Sequence, residues 1–298
     1  VYTGMLNSAG GYEADVTVTR LAPTQFLVVS GAASAVRDVD WIRRKAPDGH
    51  RTEVVDITAL YAVFGVMGPA SRELLTRLSG ADLTDDAFPF STSRELRLGY
   101  ATARATRITY VGELGWELYV PAEFAVSVFE LLTEAGKRFG LVNAGYYAIN
   151  ALRLEKGYRA FGPELNPDYN PVEAGLLFAT KLKTDVPFLG REAVEAAQTN
   201  GMRRRVVSFV LTDPEVMMWG GELVLRDGLG SGQVTSAAFA TTTGACVGLA
   251  YVWRRDGDVV TNEYLQSGEW SVSVNGTAVP ARVQTGAWYD PKSERIRS

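Results

Sequence analysis

The sequence has 298 residues, 46% of them apolar and 21% charged, enough chain for two domains that each bury a core. A formal charge of −4 and a pI near 5.3 provide no basic face for nucleic acid or an anionic membrane surface. One cysteine, Cys246, and one histidine, His50, exclude an intramolecular disulfide, a Cys/His zinc site and, unless His50 serves, a His-based hydrolytic relay.

The chain opens on Val1 rather than Met, which points to processing or to a larger polypeptide, and VYTGMLNSAGG has neither a basic start nor an apolar h-region. No apolar run approaches the ~20 residues of a membrane helix. A cytoplasmic protein is expected, or a mitochondrial-matrix one that has lost its transit peptide.

From Glu13, EADVTVTRL alternates, with Glu13, Asp15, Thr17 and Thr19 on one face and Ala14, Val16 and Val18 on the other. With Gly10-Gly11 ahead of it, this reads as the second arm of a hairpin. A strand follows over Gln25 to Gly31, then a helix over Ser34 to Arg44, and AVFGVMG, Ala62 to Gly68, reads as a buried strand. Pro69 opens and Gly80 closes the next helix. Arg97 to Tyr110 supplies a strand pair. A helix over Ala122 to Phe139 carries Phe124, Val128, Leu131 and Leu132 at helical spacing, and another runs from about Ala144 to Gly157. A short helix covers Arg191 to Ala196.

Beyond it the pattern changes to short alternating strands bounded by Gly and Asp turns, from MRRRVVSFVL to EWSVSVNGTAVPARV, as in a β-barrel or sandwich. The boundary falls near residues 198 to 205, where Arg203 to Arg205 reads as a solvated junction. Two domains are therefore expected, 1–200 and 201–298, in an α+β fold: an α/β region followed by a C-terminal β-barrel. Cys246, in a strand pattern, reads as a core thiol, and His50 as a loop tip.

GLGSGQ, Gly228 to Gln233, lacks the G-x-G-x-x-G spacing and has no helix after it, so it reads as a hairpin turn and not a nucleotide site. Asp15 is unusual because Asp is depleted in strands. It reads either as an exposed edge-strand carboxylate or as a ligand group beside a Gly-Gly turn that lets backbone approach closely. In YVGELGWELYV, Tyr110 to Val120, the glycines turn the chain, Trp116 and Leu118 share one face, and Glu117 and Tyr119 share the other. A carboxylate there is either solvated or set to accept two parallel N–H bonds from a flat heterocycle with an amidine-like edge.

Three separated stretches, YVGELGWELYV, NSAGGYEADVTV and ALRLEKGYRAFGPELNPDYNPVEAGL, together resemble the tetrahydrofolate-binding aminomethyltransferase family, the glycine-cleavage T-protein fold. The third, with FLGREAV and the ending YDPKSERIR, is most similar to the folate half of dimethylglycine and sarcosine dehydrogenases and oxidases. The likeness covers nearly the whole chain, with the family's first strand-helix segment falling before Val1.

The resemblance implies a catalytic role for Asp15, which would position or activate the folate N10 amine and stabilise charge as a one-carbon unit joins or leaves. It implies that Glu117 grips the N–H edge of the pterin, with Tyr110 and Tyr158 lining the pocket and Thr17, Tyr2, Val29, Leu118 and Tyr119 making further folate contacts. No metal is implied. The function implied is formation of 5,10-methylenetetrahydrofolate from an iminium- or formaldehyde-level carbon released by oxidative demethylation of dimethylglycine or sarcosine. FAD would sit on a separate oxidase domain or subunit. A standalone folate-dependent demethylase or methyltransferase, and a folate-binding module without turnover, are the alternatives. One departure stands out: where the T-protein proper has GARD, this chain reads YAIN, so the arginine position is Ile149. Arg153 and Arg159 are nearby cations open either to the folate glutamate tail or to ordinary pairing.

Overall fold

The computed structural model describes residues 1–298 apart from Asp48 and His50, so the reading of His50 lies outside the described residues. In chain order the elements are β1 (Tyr2–Leu6), β2 (Tyr12–Ala22), β3 (Gln25–Val29), α1 (Ala35–Lys45), β4 (Tyr61–Met67) and α2 (Ser71–Ser79). They continue with β5 (Ser93–Leu98), β6 (Ala101–Thr106), β7 (Gly115–Pro121), α3 (Ala125–Gly136), α4 (Tyr146–Glu155) and α5 (Arg191–Asn200). The last part holds β8 (Arg204–Leu211), β9 (Leu223–Arg226), β10 (Leu229–Ala240), β11 (Ala245–Trp253), α6 (Asn262–Gln266), β12 (Trp270–Val274) and β13 (Thr277–Gln284). No helix among the described residues is long and apolar enough to cross a membrane.

The chain forms two compact units, Val1–Thr52 with Leu154–Tyr289, and Glu53–Arg153 with Asp290–Ser298. In the first unit, β1, β2 and β3 make an antiparallel sheet in that order. The predicted alternation holds: Tyr12, Ala14 and Val16 are buried, and Tyr12 joins Leu6, Leu165, Val172, Leu176 and Val194 in one apolar cluster. The same unit contains a closed barrel of order β10-β11-β8-β13-β12-β9. Closure leaves no strand edge unpaired and puts alternate side chains, among them Phe209, Val234, Cys246 and Val272, into the interior. Cys246 is a buried free thiol, as a core residue should be. The hairpin turn before β10 is Asp227-Gly228, with φ of 52° and 76°, so GLGSGQ lies mostly within the strand and not in the turn itself.

The second unit is built on an antiparallel sheet of order β4-β7-β6-β5. Leu74 and Leu75 of α2 and Val128 and Leu132 of α3 cover one face, packing with Trp116, Leu118, Leu98 and Ala103. Two expectations change here. The strand pair is β5 with β6, joined at Gly99-Tyr100, and Arg107 to Leu114 leaves the sheet. At the end of β6 the Arg107 backbone still exchanges hydrogen bonds with Ser91 and Thr92, both at 2.9 Å, while its buried guanidinium reaches the Asp85 carboxylate at 2.6 Å and the Phe88 carbonyl at 2.9 Å. The segment read as a buried strand is the edge strand β4, and it alternates: Val66 is buried while Tyr61, Val63 and Gly65 face outward. An apolar run does not reveal by itself which face is covered.

Candidate functional site: two partly buried carboxylates

In the first unit, Asp15 lies on the central strand of its sheet, so the edge-strand reading does not hold. It faces Gly4 across β1, while Thr17 stands between Tyr2 on β1 and Val29 on β3. Residues directly opposed in antiparallel ladders share a face. Tyr2, Asp15, Thr17 and Val29, far apart in sequence, are thereby gathered on one surface. The Tyr2 hydroxyl donates to Asp15 Oδ2 at 3.1 Å. The turn ahead of β2 is fixed by Asn7, whose Oδ1 accepts from the amides of Ala9 and Gly11, both at 3.0 Å. The close backbone approach expected there is made to the chain itself: a Cβ on Gly11 would sit 1.8 Å from the Pro167 carbonyl oxygen.

Burial pushes the Asp15 carboxyl above the usual carboxylate range; the Tyr2 hydrogen bond and its own backbone amide pull it back, and the charge of Asp38 adds to the rise. Asp38, on α1, is a buried carboxylate that sequence reading missed. Its Oδ2 accepts from Ser34 Oγ at 2.7 Å, Oδ1 has no hydrogen-bond partner, and Arg37 Nε stands 3.7 Å away. Its signal in the sequence is an acidic residue at a position that α1 turns inward. Burial also pushes the Tyr12 phenol up, with the Asp15 charge adding to the effect. Tyr158 follows α4 in this unit, partly buried. Arg159 donates through Nε to Ala174 O at 2.9 Å and through Nη1 to Gly157 O at 2.5 Å, and burial lowers its pKa.

In the second unit, Glu117 stands in a row across the sheet between Gly65 on β4 and Thr106 on β6, and Tyr119 stands between Val63 and Arg104. The Tyr119 hydroxyl donates to Glu117 Oε2 at 2.5 Å, the one hydrogen bond to this carboxylate among the described residues. Burial raises the Glu117 pKa, partly offset by that hydrogen bond. Burial, then the nearby carboxylate, pushes the Tyr119 phenol far up, so it stays a donor. Trp116 and Leu118 are fully buried in the core, so the Leu118 side chain points away from the Glu117 face and only its backbone lies near that carboxylate. Tyr110 is partly exposed in the loop before β7, where Gly112 takes φ of 77°. Gly115 is already in the strand, where a Cβ would lie 2.1 Å from Met67 Sδ. On α4, Arg153 is buried and donates to Asn150 Oδ1 at 2.9 Å, so the YAIN asparagine is one of its partners, one turn from Ile149.

Among the described residues, no group of three or more His, Cys, Asp or Glu side chains could hold a metal ion. Each surface, taken by itself, presents a carboxylate acceptor beside an aromatic hydroxyl, a pair suited to a group that carries N–H donors.

Residues 1–184 match the GCVT N-terminal domain, and residues 204–290 match the glycine cleavage T-protein C-terminal barrel domain. The chain belongs to the glycine-cleavage T-protein family. It is 39% identical to the mitochondrial sarcosine dehydrogenase of Mus musculus, an alignment covering 100% of this chain and 34% of that protein. It is 32% identical to the aminomethyltransferase of Symbiobacterium thermophilum, covering 97% of this chain and 76% of that one. The glycine cleavage system aminomethyltransferase T of Bartonella henselae superposes with a TM-score of 0.82 at 23% identity over 97% of this chain and 76% of that one, which establishes the shared fold. The chain spans about a third of the length of the sarcosine dehydrogenase. It is thus a folate-dependent, aminomethyltransferase-type enzyme domain, and tetrahydrofolate is the cofactor of its family.

Proposed function

We propose that this domain joins a one-carbon unit at the formaldehyde level to tetrahydrofolate, forming 5,10-methylenetetrahydrofolate, with Asp15 as the catalytic group and Glu117 as the pterin-holding one. The carbon would come from oxidative demethylation of sarcosine or dimethylglycine by an FAD-dependent oxidase domain or subunit. Residues 1–200 would carry the folate contacts and residues 201–298 the barrel that supports them. The compartment proposed is the cytoplasm, or the mitochondrial matrix in a eukaryote; the mouse relative is a mitochondrial protein.

The chain's own residues fit the cofactor. Glu117 Oε2 is taken by Tyr119, and no other hydrogen bond to the carboxylate is made among the described residues, so Oε1 is an acceptor matched to an N–H edge. Bound tetrahydrofolate supplies two amine nitrogens, whose two N–H protons and the carbonyl oxygen leave as water when the carbon is taken up.

The observation that carries the reading is the state of Asp15: partly buried, raised in pKa, and held by one side-chain donor, Tyr2. Such a carboxylate takes a proton from an amine more readily than a solvated one and returns it to a departing hydroxyl. Its charge also steadies a cationic centre at close range, because burial weakens screening. Tyr2 fixes the orientation of Oδ2 and leaves Oδ1 to face the amines. Thr17 and Val29 shape the same surface. Positioning then supplies much of the acceleration, as expected for a reaction between a carbonyl-level carbon and amines.

The test measures methylenetetrahydrofolate formation from formaldehyde and tetrahydrofolate, alongside calorimetric binding of tetrahydrofolate. Asp15→Ala should lower the rate about 100-fold with affinity held within about threefold. A wild-type chain that binds tetrahydrofolate without accelerating the reaction would make it a binding module instead.

A further inference from the structure

Gly65 occupies the middle of β4, and glycine there weakens a strand and removes a side chain that could pack. A glycine in such a place usually marks a bulge, a positive φ or a close approach of some other group. The β4–β7 register runs unbroken from Tyr61 opposite Pro121 to Met67 opposite Gly115, so there is no bulge. Gly65 is not among the residues with positive φ. A Cβ built on it would meet only Met67 Cε, at 3.6 Å, an ordinary contact. Gly115, directly across the sheet from Met67, is the contrast: there a Cβ would overlap Met67 Sδ at 2.1 Å and approach the Val66 carbonyl oxygen at 2.7 Å. Packing within the chain requires glycine at 115 and does not require it at 65.

What glycine does at position 65 is expose bare backbone directly opposite Glu117, on the same face of the sheet. Opposed Cβ atoms in an antiparallel pair lie roughly 5 Å apart, so any side chain at 65 would flank the carboxylate. Two residues away on the same face, Val63 is 53% exposed, leaving an apolar shelf beside that bare strip.

We propose that Gly65 is a specificity-determining residue: it lets the flat face of a pterin lie against the β4 backbone, beside Val63, while Glu117 accepts the ring's N–H edge. A side chain at 65 would occupy the space of the ring. The inference rests on the reading of Glu117 as the pterin-holding residue, and it accounts for a glycine that the fold itself does not need.

The experiment compares Gly65→Ala, Gly65→Val and Glu117→Gln in the full chain, reading tetrahydrofolate affinity by calorimetry and the Tm of the ligand-free protein. The expected result is a graded loss, about fivefold for Ala and at least about thirtyfold for Val, with the ligand-free Tm of Gly65→Ala equal to or above wild type. Loss of binding together with unchanged or raised stability is a signature that a merely structural glycine would not give. Wild-type affinity in both Gly65 variants, with Glu117→Gln weakened, overturns the role of Gly65 and leaves Glu117 standing. Wild-type affinity in Glu117→Gln overturns both. If Gly65→Val lowers the ligand-free Tm, the alanine variant decides alone, since its added methyl meets only Met67 Cε.

Discussion

The Tyr119 hydroxyl donates to Glu117 Oε2 at 2.5 Å, linking two residues on the same face of one strand. The bond favours the ionised carboxylate, against a burial effect that favours the neutral acid. Tyr119→Phe removes the first and leaves the second, so the Glu117 pKa rises further. An N–H edge binds the ionised form, so tetrahydrofolate affinity should fall, and fall more at pH 6 than at pH 8. A loss of about tenfold at the lower pH corresponds to one charge-assisted hydrogen bond's share. Calorimetric titrations at both pH values check this; parallel profiles for wild type and variant would remove the coupling.

Asp15 and Glu117 also set a pH dependence of stability. Both have folded-state pKa values above those of the unfolded chain. Their contribution is therefore fully present below the unfolded carboxylate pKa, about 4, and is lost as pH rises through the raised folded values. Asp15→Asn and Glu117→Gln should each stabilise the ligand-free protein at pH 8, by about 1 kcal/mol, with the advantage vanishing toward pH 4. Urea midpoints across that range give the answer, and a variant less stable than wild type at pH 8 would contradict the sign.

The face-sharing at both carboxylates is legible in the sequence because a strand's period of two is rigid. In EADVTVT and GWELYV, alternation alone puts Asp15 with Thr17, and Glu117 with Tyr119. The burial of Trp116 and Leu118 follows from the same alternation, and it leaves the Leu118 backbone as the part of that residue nearest the Glu117 face. Register across strands is not legible. Nothing in the sequence says that Tyr2 and Val29 flank Thr17, or that Gly65 opposes Glu117, because pairing depends on how distant strands meet. Asp38 escapes notice because a single acidic residue in a helix rich in charge reads as solvated. The strand's end at Thr106 is not legible because the alternation of apolar and polar residues runs on past it.

Glu164 is fully buried and ties the segment after α4 to the barrel within the first unit. Its Oε1 accepts from Thr235 Oγ1 and Ser236 Oγ, both at 2.6 Å, its Oε2 accepts from the Ala160 amide at 2.9 Å, and its carbonyl accepts from Tyr251 at 2.9 Å. Glu164→Ala deletes these side-chain hydrogen bonds and leaves a void among polar groups. A destabilisation of about 3 kcal/mol is expected, read as a lower urea midpoint with unchanged slope. A shift below about 1 kcal/mol would mean that the hydroxyls find other acceptors at little cost.

Gly115→Ala tests the other glycine of the Glu117 surface. Its added methyl would lie within 2.1 Å of Met67 Sδ and 2.7 Å of the Val66 carbonyl oxygen. The sulfur can move, but the carbonyl belongs to the β4 backbone, so β4 and β7 must separate locally. Overpacking of this kind costs about 1–3 kcal/mol, and here it falls two residues before Glu117 on the same strand. The variant should lose both stability and tetrahydrofolate affinity, in contrast to Gly65→Ala, which should lose affinity alone. Saturating ligand should recover less of the Tm in Gly115→Ala than in wild type, since stabilisation by mass action scales with concentration over Kd. If the two alanine variants behaved alike in both measurements, the distinction between a glycine required by packing and one required by the ligand would collapse.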